Sequence, residues 1–381
     1  MSRVYLDWNA TAPLRPEARA AMIAAMDVVG NPSSVHAEGR AAKGIVEKAR
    51  SQVAVFIGCR PQDVIFTSGA TEAAATVAHL QRFAGDVYCA EIEHDAVLEG
   101  QVWGERDLWP DLSGRLAIEA VFDTQILGAL EGNELLHLQA ANSETGVLQD
   151  VAAAFAHVRE RAPKMTLVTD AVQAIGKLAF DFSATGADGV LVSAHKLGGP
   201  KGVGALIAAN RLAARMDDDA FIRGGGQEMR RRSGTENVIG IAGFGAAAEA
   251  AARDLEAGVW DRVADLRNIL EKTLEAAAKE TIFVGKSAPR LPNTSCFATP
   301  GWKGETQVMQ MDLAGFAISA GSACSSGKVR ESRVLRAMGY DERVASSAVR
   351  VSLGPTNTED EVLRFCEAWL DKYHKFRARA A

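Results

Sequence analysis

Lys196 stands in Ser193-Ala194-His195-Lys196, directly after the apolar run Gly189-Val-Leu-Val192 and before Leu-Gly-Gly-Pro-Lys-Gly. An amine fixed at a strand end is a nucleophile toward carbonyl carbons once deprotonated. Alone it would be an ordinary solvated lysine, so its meaning depends on what other strand ends contribute. Ser68-Gly69-Ala70-Thr71-Glu72 follows the run Val64-Ile65-Phe66 and opens a helical pattern. The first N–H groups of that helix, with the Thr71 hydroxyl, can cradle a phosphate at the positive helix end, although a plain helix cap would look the same. Asp170 ends the run Leu167-Val-Thr169 and is followed by Ala-Val-Gln173. His94, in Glu91-Ile-Glu-His-Asp, follows Val87–Ala90 and offers a ring that can stack and carry protons. Asn142, in Ala-Asn-Ser-Glu-Thr-Gly, follows Leu135–Leu138.

An amine, an anion cradle, a carboxylate and an imidazole are together what pyridoxal phosphate requires. The lysine binds its aldehyde, the cradle its phosphate, and the carboxylate keeps the pyridine nitrogen protonated while the imidazole stacks on the ring. Gln173 then reaches the ring hydroxyl. The candidates sit at carboxyl ends of strands, where open α/β sheets bind ligands.

Those runs, with Gly204-Ala-Leu-Ile207, alternate with helical stretches from about Val64 to Ala208. The pattern predicts a mostly parallel sheet covered on both faces, in a large α/β domain. The Ala/Leu/Glu-rich stretch from Ile241 to Glu280 predicts one or two helices. Beyond it, strand patterns at Thr294–Phe297 and Ala348–Val351 and helical patterns at Thr306–Leu313 and Thr358–Lys375 predict a smaller α+β domain. The expected division is 16–250 for the large domain, with 1–15 and 251–381 forming the small one. Trp109–Glu134 is weakly patterned.

The 381 residues carry 42 Lys and Arg against 48 Asp and Glu, a formal net charge of −6. That balance, with only Arg230–Arg232 as a basic run, argues against nucleic acid or a membrane surface as partner. No stretch approaches the roughly 20 apolar residues of a spanning helix and no export segment opens the chain, so a cytoplasmic protein is expected. Cys59, Cys89, Cys296, Cys324 and Cys366 are scattered, with no CxxC pair, which argues against disulfides and zinc. Four lie in apolar or helical surroundings, whereas Cys324 lies among small polar residues. Gly243-Phe-Gly245-Ala-Ala-Ala248 imitates a dinucleotide fingerprint but opens an Ala-rich helical segment, and Gly321–Lys328 imitates a P-loop with the wrong spacing.

Tyr5-Leu-Asp-Trp-Asn-Ala-Thr, Gly30-Asn-Pro-Ser-Ser-Val-His36, Phe66-Thr-Ser-Gly-Ala-Thr-Glu72, Asp170-Ala-Val-Gln173, Ser193-x-His-Lys196, Gly224-Gly-Gly-Gln-Glu228, Arg232-Ser-Gly-Thr-Glu-Asn237, Gly321-Ser-Ala-Cys324 and Val349-Arg-Val-Ser-Leu-Gly354 occur in that order. Together they resemble the cysteine desulfurases of the NifS/IscS type. The resemblance implies a class V aminotransferase-like, fold-type I homodimer with pyridoxal phosphate on Lys196. It places Ala70, Thr71, Ser193 and His195 around the phosphate, with Thr235 reaching the phosphate of the neighbouring subunit. It gives His94, Asn142, Asp170 and Gln173 ring-facing roles, and Arg350, with Asn142, the substrate, its planar fork suiting a carboxylate.

Cys324 becomes the nucleophile toward L-cysteine, beside Lys196 and His94 as the catalytic groups. The products are L-alanine and a Cys324 persulfide whose sulfur passes to a protein acceptor or iron–sulfur scaffold. The surrounding loop resembles the longer one of the NifS/IscS type rather than the short SufS one. No intrinsic metal is implied, Cys324 being at most a transient iron–sulfur ligand. Ala194 and Ser143 depart from the family's usual Gly and second Asn. The segment Trp109–Glu134 is short, and the last helix lacks the extension used to dock a scaffold. Another class V reaction, such as amino-group transfer or selenocysteine cleavage, and a non-catalytic sulfur relay are the competing readings.

Overall fold

The computed structural model describes residues 3–81, 85–100, 105–117, 134–321 and 331–380. Cys324, the loop residues after Gly321 and most of Trp109–Glu134 lie outside them.

A seven-stranded sheet is built from β2 (Val64–Thr67), β3 (Val87–Ala90), β4 (Glu105–Leu108), β5 (Leu135–His137), β6 (Thr166–Asp170), β7 (Gly189–Ser193) and β8 (Gly204–Ala208), in the order β2-β8-β7-β6-β5-β3-β4. Only β8 runs against its neighbours. Successive residues enter opposite layers: Leu136, Leu167, Val190 and Ile207 face one apolar cluster, while Leu135, Val168, Leu191 and Leu206 face another. Both faces are therefore covered, which is why these strands are continuous apolar runs.

The helices Pro16–Met26, Ala37–Ile57 and Val238–Glu256 cover one face. Gly245 lies inside the last of them, where a Cβ would come within 2.6 Å of the Ala49 Cα. The fingerprint-like glycines are thus a packing notch. The Ile241–Glu280 stretch forms two helices, Val238–Glu256 and Val259–Ala277.

The C-terminal part holds a three-stranded antiparallel sheet, β9 (Ile282–Phe283), β10 (Thr294–Ala298) and β12 (Ala348–Ser352). Its core is aromatic, with Trp369 at 5.5 Å from Phe297 and stacked on Tyr373. The N-terminal β1 (Val4–Tyr5) pairs with β11 (Phe316–Ala317), and Val4 and Leu6 join this second core. No described helix is long and apolar enough to cross a membrane.

One turn is strained. Glu228, Met229 and Arg230 have φ of 45°, 58° and 70°, a left-handed run that side chains disfavour. A buried ion pair holds it: Arg50 donates to both Glu228 oxygens at 2.7 and 2.8 Å, lies over the Phe66 ring, and Glu228 also accepts the Phe66 N–H at 2.9 Å. Arg50→Met leaves a buried carboxylate without its cation. It should cost about 3 kcal/mol, read as a lowered melting temperature.

Candidate active site

The carboxyl ends of the parallel strands open into a cavity of about 640 Å³ between the two cores. Ser68, Gly69, Ala70 and Thr71 line one end of it, where β2 passes into the helix Ala70–Gln81. The leading N–H groups of a helix lack intrahelical acceptors, so this end favours an anion. Gly204 keeps the cradle open, since a Cβ there would meet the Val192 carbonyl oxygen at 2.5 Å and the Gly69 Cα at 2.8 Å. Burial opposes ionisation of Glu72, yet bonds from Arg232 and Ser68 outweigh it and hold its carboxyl below the usual range.

Ser193 closes β7 and is buried at the cavity wall, followed by a single helical turn, Ala194–Lys196. Lys196 Nζ donates to the backbone oxygens of Asn9 and Ala10 at 2.5 and 2.8 Å. His195 Nδ1 lies 3.1 Å from the Thr11 hydroxyl. Burial, then Lys196 and Lys201, push its pKa down to about 4, so the ring is neutral.

Asp170 ends β6 at the cavity, its Oδ1 accepting the Val172 N–H at 2.9 Å. Burial raises its pKa, against the pull of that N–H, His94 and Lys196. A carboxylate so placed gains from a cation brought into the cavity. His94 Nδ1 accepts the Ala96 N–H at 3.1 Å, which puts the proton of the neutral ring on Nε2. Gln173 donates from Nε2 to the Asn9 oxygen at 3.0 Å.

Arg350 sits mid-strand in β12, opposite Cys296, and reaches across to the large sheet's loops. It donates to Asp7 at 2.7 Å and to the Ser143 oxygen at 2.9 Å, while its buried Nε has no partner. Gly321, Arg333 and Val334, flanking the undescribed residues 322–330, line the same cavity. Arg333 bonds the Glu91 and Glu93 oxygens and the Asp95 carboxylate, tying the loop's downstream end to the His94 turn.

Two sequence candidates lie apart from this lining. The Asn142 side chain is 1% exposed and turned into its own loop, its Oδ1 accepting the Glu144 and Thr145 N–H groups and its Nδ2 donating to the Ile92 oxygen. Thr235 is exposed and does not line the cavity, although Arg232, three residues before it, pairs with Glu72. Among the described residues no three His, Cys, Asp or Glu side chains converge to hold a metal.

This fold and site belong to the aminotransferase class-V family, whose sequence pattern matches residues 4–365. Within it the chain falls among the cysteine desulfurases, which are pyridoxal-phosphate-dependent enzymes. It is 39% identical to a cysteine desulfurase of Cereibacter sphaeroides, over 96% of this chain and 95% of that one. It is 38% identical to the cysteine desulfurase IscS of Anaeromyxobacter dehalogenans, over 98% and 93%. A NifS-like protein from Rickettsia africae superimposes with a TM-score of 0.88 at 31% identity, covering 98% of this chain and 99% of that one. The residues fit the cofactor: a helix start kept clear by Gly204 for the phosphate, and Asp170 for a protonated ring nitrogen.

Sequence reasoning passed over Asp7, Glu93, Glu144, Lys177 and Arg333. Asp7 and Glu93 lie inside quoted motifs, Glu93 beside His94, and proximity to those motifs was the available signal. Glu144 is buried at the cavity wall with Oε1 unpartnered, and burial raises its pKa. Glu93 accepts the Gln139 N–H at 2.7 Å through Oε1, while its buried Oε2 has no partner. Burial, then the Asp170 charge, push its pKa up to about 8, against the Gln139 N–H and Arg333. A raised carboxyl pKa means the folded state holds the proton more tightly. Its stabilisation is full below the ordinary 4.5 and is lost as pH rises toward about 8. Melting temperatures of the cofactor-free protein should therefore fall across that window more steeply than those of Glu93→Gln, whose amide cannot titrate.

Proposed function

We propose that this cavity converts L-cysteine to L-alanine through a persulfide on Cys324. The carrying observation is convergence: Lys196, Asp170, His94 and Arg350 meet at one cavity whose wall includes both flanks of the Cys324 loop. Pyridoxal phosphate, when bound through Lys196, supplies an electron sink for a carbanion at the substrate Cα. Its phosphate would lie at Ala70 and Thr71, with Ser193 and His195 beside it. Asp170 would hold negative charge for the ring nitrogen and Gln173 would donate to the ring hydroxyl.

Arg350 orients the substrate carboxylate, its unpartnered Nε aligning one oxygen. The Lys196 amine would take the Cα proton, and His94 Nε2 would be placed to move a proton beside it. The Cys324 thiolate attacks the substrate sulfur. The sulfur–carbon bond of the substrate breaks, a sulfur–sulfur bond forms, and the substrate carbon takes a proton, so that cysteine plus thiol gives alanine plus persulfide. The persulfide sulfur then passes to a protein acceptor, with iron–sulfur cluster assembly as the use.

The same reading divides the chain into a cofactor-holding part, 16–250, and a part, 1–15 with 251–381, that brings Arg350 and the Cys324 loop. It makes the protein a cytoplasmic homodimer. Exposed Leu14, Ile23, Met26, Val29 and Val35 offer an apolar surface for a second copy. Thr235 is exposed on a loop held by the Arg232–Glu72 and Arg50–Glu228 pairs, which suits a residue shared between subunits. Cys59, Cys89, Cys296 and Cys366 form no disulfide among the described residues, which suits a reducing compartment.

L-cysteine and a reductant added to the yellow protein should yield sulfide and alanine in equal amounts. Cys324→Ala should keep the visible band and lose roughly three orders of magnitude of both products; normal alanine production by that variant overturns the assignment. Amino-group transfer to a 2-oxo acid without sulfide would favour a different class V reaction. Sedimentation should give the mass of two chains, and Thr235→Ala should release the cofactor more readily; a monomer with full cofactor retention contradicts the shared site.

A further inference from the structure

Lys177 is 3% exposed, and its Nζ donates to Gln173 Oε1 at 2.6 Å and to Asn9 Oδ1 at 2.8 Å. Both acceptors are amide oxygens and neither carries a charge. A buried ammonium so placed is costly, whereas a neutral amine has two N–H groups for two oxygens. Burial, then the charges of Lys196 and Arg350, depress its pKa well below the ordinary lysine value, which agrees with that count.

The geometry has a directional consequence. The ammonium has no acceptor, and the amine spends both N–H groups on these two oxygens, while the Asn9 backbone oxygen on the other side accepts only; Gln173 accordingly turns Oε1 toward Lys177 and Nε2 away from it. One Nε2 hydrogen goes to the Asn9 backbone oxygen at 3.0 Å, the atom that also receives Lys196 Nζ. The other is left toward the cavity that Gln173 lines. Without Lys177 only the Asn9 carbonyl would oppose a half-turn of the amide, which would present an acceptor where the cofactor's ring oxygen needs a donor.

We propose that Lys177 is a positioning residue that fixes the amide of Gln173 in its donor-first orientation and, through Asn9, steadies the carbonyl on which Lys196 rests. The proposal rests on the reading that Gln173 faces the cofactor ring.

The test compares four proteins: wild type, Lys177→Met, Gln173→Leu and the double variant. Cofactor affinity is read by titrating pyridoxal phosphate into stripped protein, and the position of the visible band is recorded for each. Each single substitution should weaken affinity about tenfold and shift the band, and the double variant should be no worse than Gln173→Leu, because the two act as one unit. Independent losses multiplying to about a hundredfold would overturn the proposal, as would a Lys177→Met protein indistinguishable from wild type beside a weakened Gln173→Leu. An unaffected Gln173→Leu would instead remove the reading of Gln173 on which the proposal stands. Should Lys177→Met not fold, Lys177→Gln, too short to reach both oxygens, takes its place in the same comparison.

Discussion

Asn9 uses every polar atom it has. Its N–H donates to the Ser352 hydroxyl, its backbone oxygen receives Lys196 and Gln173, its Oδ1 receives Lys177 and Asn293, and its Nδ2 donates to the Ser143 oxygen and Thr294 hydroxyl. It is 1% exposed, so each lost partner would leave a buried group unsatisfied. A residue near the start of the chain thereby joins the ends of β6 and β7 to β10 and β12. The Lys196 amine and the Arg350 guanidinium share one rigid frame, although they arise from different cores.

Around that frame the electrostatics are uniform in direction. Asp170, Glu93 and Glu144 all have raised pKa values, and His195 and Lys177 have lowered ones, each chiefly through burial. The cavity wall disfavours charge on nearly every group it buries, whatever the sign. The Arg350 guanidinium pairs with the Asp7 carboxylate at 2.7 Å. Such a wall leaves the net attraction for anionic groups to a few places, the guanidinium Nε and the helix start among them, instead of spreading it over the surface.

The sheet was legible because each central strand is buried on both faces, leaving unbroken apolar runs at Val64, Val87, Leu135, Leu167, Val190 and Ala205. β4 escaped notice: Glu105-Arg-Asp-Leu108 holds one apolar residue, and its pairing with β3 is a backbone matter. The two-residue strands β1, β9 and β11 are too short for any period to register. Residues following those runs, such as Lys196, Asp170 and His94, could be picked out because a strand end implies a site. The pairing of Asp7 with Arg350 could not, since it spans 343 positions, nor could Lys177, which looks like any other lysine until its burial is known. Thr235 and Asn142 entered through the family resemblance or their strand end, and neither side chain lines this chain's cavity.

The reversed strand β8 has one more effect. Because it lies between β2 and β7, the helix start that suits a phosphate and the lysine are held two strand widths apart, roughly 9.6 Å at the usual spacing. The sheet acts as a ruler graduated in steps of about 4.8 Å. Gaining or losing a strand at this end would move the marks by a whole step, more than a side-chain rotamer can absorb. The opposite edge, beyond β3, carries no mark, so β4 and the chain that follows it can change in length without altering the size of molecule the ruler accepts.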